Sequence, residues 1–212
     1  MDGNKLSHAD EEKDLGVLID DKLKFHRQTA AAIKKANRIL GLVKKSFMFL
    51  DKQKLPLLYK TLVRPHLEYG NLIWGPFSKG DILAVERVQR RATKLVIGMK
   101  DLSYAERLHE LLIPSLIHRR RRGDMIHLYK ILRGKDNTLK DIFNMSKSVT
   151  RGHMYKIKKG KATKSPRINS FSNRVIDDWN NLPATIVTAE TLDSFKSKLD
   201  EFWKAKMYDT PF

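Results

Sequence analysis

Cysteine is absent from the 212 residues, which excludes disulfides, thiolate zinc sites and cysteine nucleophiles together. No apolar run approaches the roughly 20 residues that a membrane-spanning helix needs, and Met1-Asp2-Gly3-Asn4 does not open a secretory leader. The expected place is therefore the nucleus or cytoplasm, without secretion and without a membrane partner. A glycine-rich phosphate loop, a Walker lysine, G-x-S-x-G and H-E-x-x-H are all missing, and the seven histidines (8, 26, 66, 109, 118, 127 and 153) show no H-x3-H spacing. No cofactor, metal or small-molecule substrate is indicated. Acidic residues are also scarce: 24 Asp and Glu stand against 42 Lys and Arg, a formal net charge of +18. A small domain needs a net charge of only about 2–8 for solubility, so an excess of this size points to an anionic partner, above all nucleic acid.

The charge is unevenly placed. Residues 1–20 carry six acids (Asp2, Asp10, Glu11, Glu12, Asp14, Asp20) and two lysines, so the leader is at −4 and the rest of the chain at +22. Within it, Leu15-Gly16-Val17-Leu18-Ile19 has the length and character of a strand. One strand alone leaves its backbone unpaired, so this one needs a partner from the far end of the chain, or its sheet is missing. The overall hydrophobic fraction of 41% is enough for a packed core.

From about Leu23 to Met145 the apolar spacing is helical. Phe25, Thr29, Ala32, Ile33, Ala36, Leu40, Val43 and Phe47 share one side of a helical wheel, with Lys34, Arg38 and Lys45 on the side away from it. A second helix starts near Asp51 and carries Leu55, Leu58, Tyr59 and Leu62, and Arg64-Pro65 predicts an extended or bent residue before a short helix ending at Gly75-Pro76. Between Ser78 and Gly98, Ile82, Val85, Val88, Ala92, Leu95 and Val96 fall on one face and Arg87, Arg90, Arg91 and Lys94 on the opposite one. Ser103 with Glu106 spells a capping box for the next helix.

The helix that runs on to Gly134 contains His118-Arg119-Arg120-Arg121-Arg122. Four successive positions sweep most of a helical circle, so Arg121 points among apolar residues and must snorkel, meet an anion, or pair with Glu106, Glu110 or Asp124. Residues 147–167 hold eight Lys and Arg and no acid. Met154-Tyr155-Lys156-Ile157 alternates like a strand, with Arg167-Ile168 as its return, which predicts a basic ribbon or arm along a phosphate backbone with Tyr155 free to stack on a base. A solvated linker is the plain alternative. A helix around Phe171–Trp179, a turn at Asn180–Pro183 and an amphipathic helix from Thr191 to Trp203 follow. The Asp-Asp pairs Asp20-Asp21 and Asp177-Asp178 are the candidates for metal-assisted phosphoryl transfer, which needs carboxylates from separate segments, so neither reads as catalytic.

Several blocks together resemble a known family. Lys13–Asp20, Ala36-Asn37-Arg38-Ile39-Leu40-Gly41, Leu62–Tyr69 with Trp74, Val88–Lys94, Leu102–Leu108, the Arg119–Gly123 run, Arg151-Gly152-His153 and Phe171–Pro183 follow the order and spacing of the segment after the catalytic palm in non-LTR (LINE) retrotransposon reverse transcriptases of the jockey and chicken-repeat type. The resemblance covers roughly residues 12–203. It implies a fragment: a thumb and its extension, with the palm's metal-binding aspartates and the endonuclease lying elsewhere in the parent RNA-directed DNA polymerase.

The expected fold is mainly α: a helical thumb-like bundle with a short N-terminal strand, a small basic β-ribbon and C-terminal helices. The expected divisions are an acidic leader (1–20), a thumb-like domain (21–145), a basic arm (146–168) and a C-terminal helical module (169–212). The expected partner is RNA, DNA or an RNA–DNA hybrid, held through its phosphates, and the chain by itself is expected to be catalytically incompetent. The candidate contacts are Lys34, Arg38, Lys45, Arg87, Arg90, Arg91, Lys94, Arg121, Arg151, Tyr155, Lys156, Lys158, Lys159 and Lys161. Two other readings share these residues: an incomplete gene model of an active reverse transcriptase, and a domesticated interaction module with Trp74, Trp179 and Trp203 lining protein contacts.

Overall fold

A computed structural model of the protein describes residues 9–134, 136, 140–146 and 152–210, and the architecture is mainly helical with a short antiparallel hairpin near the N-terminus. The hairpin pairs β1 (Glu11–Asp14) with β2 (Val17–Asp20), Glu11 opposite Asp20 and Asp14 opposite Val17. Leu15 and Gly16 sit at φ 44° and 85°, the two positive angles that a two-residue hairpin turn of matching twist requires. This corrects the expectation of one strand over Leu15–Ile19 with a distant partner: the first two residues are the turn, and the partner is the acidic segment directly before it. Val17 is buried with Ala32 and Trp74, and Leu18 N–H donates to Gln28 Oε1 at 2.9 Å, which fastens the hairpin to the bundle.

Asp20 is a local structural group. Its carboxylate accepts from the backbone N–H of Lys24 at 3.0 Å and Phe25 at 2.6 Å, tying down the approach to α1 (His26–Ser46). Burial alone would raise the Asp20 pKa, but these backbone donors outweigh it and hold the carboxyl below its ordinary range. Phe25, in the left-handed region at φ 57°, lies just before the helix, and Phe47 lies just after it and is exposed, so neither belongs to the helical face expected of them. Thr29, Ala32, Ala36, Leu40 and Val43 do turn inward.

The chain then runs through α2 (Lys54–Leu58), a π turn (Tyr59–Val63) and α3 (Arg64–Glu68) without an extended residue at Arg64, whose φ and ψ of −59° and −37° are helical. The wider π turn adds one residue to the repeat just before Pro65, where a regular helical ladder would lack a donor: the Arg64 N–H donates five residues back to the Tyr59 carbonyl. The same insertion rotates the buried face by about 100°, so Val63 is fully buried and Leu62 is exposed, the reverse of the simple periodicity. Gly70, at φ 69°, then turns the chain into α4 (Asn71–Trp74); a Cβ there would lie 3.0 Å from Val17 Cγ2.

In α5 (Lys79–Thr93), Ser78 caps the first turn by accepting from Asp81 N–H at 3.1 Å, and α6 (Tyr104–Glu110) has the expected capping box of Ser103 and Glu106. These helices, with α1 to α3 and Leu116 at the start of α7 (Leu116–Leu132), enclose the first core. Met125, Leu128, Tyr129 and Ile131 of α7 belong to the second, built with α9 (Phe171–Asn180), α10 (Ala184–Val187) and α11 (Leu192–Phe202). Truncating any one of these buried aliphatics to alanine would cost about 2–5 kcal/mol.

Of the basic ribbon, the described residues contain a single antiparallel bridge, Met145 with Ile157. Arg167 and Ile168 lie in the short helix α8 (Ser165–Asn169), where Pro166 is tolerated in the first turn, and so do not form a return strand. Among the described residues no helix is long and apolar enough to cross a membrane.

Candidate nucleic-acid interface

Two amphipathic helices place their polar sides on one surface. The buried positions of α1 and α5 turn toward the shared core, which drives Lys34, Arg38 and Lys45 on α1, Arg87 on α5 and Lys94 at the C-cap of α5 outward, all five exposed. None of these five is in an ion pair with a described residue. Arg91 crosses the seam: its Nη2 donates to Asn37 Oδ1 at 2.7 Å, joining the two ridges. On α1 the ridge extends about 16 Å from Lys34 to Lys45, at 1.5 Å per residue.

Arg90 departs from the expected ridge. It is half-buried, with Cζ 4.8 Å from the centre of the Tyr104 ring. The reason lies beneath it, in a polar network around Glu86. Tyr59 Oη donates to Gln89 Oε1 at 2.8 Å, Gln89 Nε2 donates to Tyr104 Oη at 3.1 Å, and Tyr104 Oη and Leu116 N–H both donate to Glu86. Burial raises the Glu86 pKa, opposed by these hydrogen bonds and by nearby Arg120 and Arg90. Arg90 is therefore held against α6 instead of facing solvent.

The arginine run of α7 is an internal clamp. Arg119 grips Glu68 through Nε and Nη2, Arg121 grips Asp178 with Nε to Oδ2 at 2.8 Å, and Arg122 grips Asp200 with Nη2 to Oδ2 at 2.7 Å. Arg121 also lies over the Trp203 ring at 5.5 Å. Its carboxylate partner is thus on α9, not Glu106, Glu110 or Asp124; Asp124 is taken by Arg174. Arg121 is exposed, but it is removed from the list of free contacts because its guanidinium is committed to Asp178.

In the basic segment, Arg151 lies outside the described residues. Tyr155 is half-buried beside the second core, its ring under Arg133 at 5.3 Å and its carbonyl accepting from Trp179 Nε1 at 2.8 Å, so it is not a free stacking platform. Lys156 is half-buried, and Lys159 pairs with Asp177. Lys158 and Lys161 are exposed. Trp74, Trp179 and Trp203 are all interior, so none offers a surface for protein contacts.

One neighbour of this face escaped the sequence reading. His66 on α3 is held below its ordinary value by burial and then by the charges of Lys35 and Arg38 on α1; its imidazole, favoured in the neutral form, adds no charge but places α3 beside the positive surface. An imidazole next to a proline on a short helix carries no periodic signal that would have disclosed it. Compared with family models, curated proteins and solved structures, the chain matches none.

Proposed function

We propose that this chain grips the phosphate backbone of a nucleic acid on the face formed by α1 and α5, and that it is the thumb-like, post-palm portion of a non-LTR retrotransposon reverse transcriptase. The observation that carries the binding half is the convergence of Lys34, Arg38, Lys45, Arg87 and Lys94, exposed and unpaired among the described residues, on two helices joined by the Arg91–Asn37 hydrogen bond. Arg119, Arg121, Arg122 and Arg174 are matched to carboxylates; the cations of this face are not. Such a face holds phosphates without reading bases, so RNA, DNA and a hybrid duplex are all substrates for it and the 2′-hydroxyl sets any preference. In this reading the chain is not an enzyme by itself, because phosphoryl transfer belongs to palm carboxylates that the parent polymerase supplies. The retroelement half rests on the ordered sequence blocks described above.

Fluorescence anisotropy with a labelled RNA–DNA hybrid tests the binding. The wild-type protein should bind at about 0.1 M salt, with affinity falling steeply as salt rises, since each phosphate contact adds roughly 0.9 to the slope of log affinity against log salt. Arg87→Glu with Lys94→Glu, or Lys34→Glu with Arg38→Glu, should weaken binding at least about tenfold and lower that slope by about two. Binding unchanged by both pairs would remove the face from the account. Reading the transcript upstream for an open frame encoding an aromatic-x-Asp-Asp motif tests the parentage.

A further inference from the structure

A cleft of about 480 Å³ lies between α4 and the middle of α7, away from the α1–α5 ridges, and Arg120 lines it. Arg120 is the one member of the Arg119–Arg122 run not clamped to a carboxylate: its Nη1 and Nη2 are both sealed from solvent and without a hydrogen-bond partner among the described residues. Asn71 Oδ1, in the lining of the same cleft, is likewise buried and unpartnered. Buried groups of this kind are costly unless something completes them.

The surrounding carboxylates are already committed. Glu68 is held by Arg119 and, at 3.6 Å, by Arg64; Asp124 receives Arg174 Nε and Nη2, both at 2.9 Å; and Glu86 serves Tyr104 and Leu116. Four arginines (64, 119, 120 and 174) and Lys130 thus stand against four carboxylates, the fourth being Asp136, whose Oδ2 lies 3.7 Å from His127 Nε2 in the cleft wall. The shortfall is one anion. Leu72, Ile73 and Ile126 supply an apolar part of the wall, beside the His127 ring, with Ile73 57% exposed at the rim.

An arginine fork that lacks an anion, an oxygen that lacks a hydrogen-bond donor and an apolar wall make three separate demands. An inorganic anion meets only the first. A nucleotide meets all three, and the volume lies within the usual range for small-molecule pockets, about 300–1,000 Å³. We propose that this cleft binds a nucleoside phosphate, which reaches the covered Arg120 fork and Asn71 Oδ1 once the side chains over them move aside: the Arg120 fork takes two phosphate oxygens, Asn71 Oδ1 accepts from a sugar hydroxyl, and Ile73 and Ile126 lie against the sugar or base. The site does not depend on the α1–α5 face and stands or falls apart from it.

Isothermal titration calorimetry with the four nucleoside 5′-monophosphates, inorganic phosphate and an unphosphorylated nucleoside tests the assignment on the full chain. At least one monophosphate should bind about tenfold more tightly than inorganic phosphate, and the nucleoside should give no detectable heat. Ile73→Glu, an exposed substitution that places a carboxylate at the rim without disturbing the interior, should reduce monophosphate affinity at least about tenfold; Arg120→Gln should abolish it. Arg87→Glu with Lys94→Glu should leave it unchanged while weakening duplex binding. A dinucleotide with a 5′-phosphate that binds as well as the monophosphate would identify a strand end as the source of the phosphate, and one that is refused would identify a free nucleotide; either supports the site. No heat with any monophosphate at millimolar concentration would overturn the proposal. So would equal affinity for monophosphate and inorganic phosphate, or undiminished binding by Ile73→Glu, which decides the matter if Arg120→Gln does not fold.

Discussion

His66 reports on its surroundings more directly than the cations themselves. Its imidazole is depressed first by burial and then by Lys35 and Arg38, so its protonation tracks the positive potential where α3 meets α1. A phosphate backbone laid on this face would cancel that potential and make protonation easier. The His66 pKa, followed by NMR titration of its ring protons, should rise when a duplex is added, and in the free protein should rise in Lys35→Ala. An unmoved His66 in a saturated complex would place the duplex elsewhere. Glu86 shows the opposite use of a charge at this scale: its carboxylate lies inside, gathering the hydroxyl of Tyr104 and the first amide of α7, and so fixes where α7 starts against α5 and α6.

At the scale of elements, the parts readable from the sequence were those decided within a few turns of chain. The inward set Val85, Val88 and Ala92 of α5 and the Ser103–Glu106 box of α6 are local periodicity and local capping, and both are present. What escaped was decided at long range or by backbone irregularity. The π turn that exchanges Leu62 for Val63 has no side-chain signature, and the partners of Arg119, Arg121 and Arg122 lie 51, 57 and 78 residues away, beyond any helical-wheel argument. The outward lysines and arginines of α1 and α5 were legible because a helix that buries one face must expose the other; Arg90 was not, because its orientation depends on Tyr104. The clamp should differ in strength along its length. Arg119, 29% exposed and doubly bonded to Glu68, should cost about 2 kcal/mol when replaced by alanine. Arg121, 48% exposed, should cost under about 1 kcal/mol because water screens its pair with Asp178. Urea midpoints of the two variants give the comparison.

For the whole molecule, burial sets the sign of the response to pH. His118 and His153, like His66, are held below the ordinary histidine value of about 6.5, chiefly by desolvation. The unfolded chain therefore takes up protons that the folded chain refuses, so their contribution is intact above about pH 6.5 and is lost as pH falls from there toward the folded values. Asp20 acts in the same direction at lower pH, its stabilisation disappearing as its depressed folded pKa is passed. Glu86 acts the other way: raised in the folded state, it gains a proton more readily than in the unfolded chain and returns some stability on acidification. With three histidines against one glutamate, the melting temperature should be lower at pH 5.5 than at 7.5, and Glu86→Gln, which removes the opposing contribution, should steepen the fall. A melting temperature that rose on acidification would show that Glu86 dominates. Finally, α7 contributes Leu116 to one core and Met125, Leu128, Tyr129 and Ile131 to the other. Neither half can open without stripping a wall from its neighbour, which makes the two cores a single cooperative unit. The amides in the middle of α7 should therefore be the last to exchange with deuterium, at the free energy of global unfolding, and brief proteolysis should leave intact chain or small peptides but no stable half.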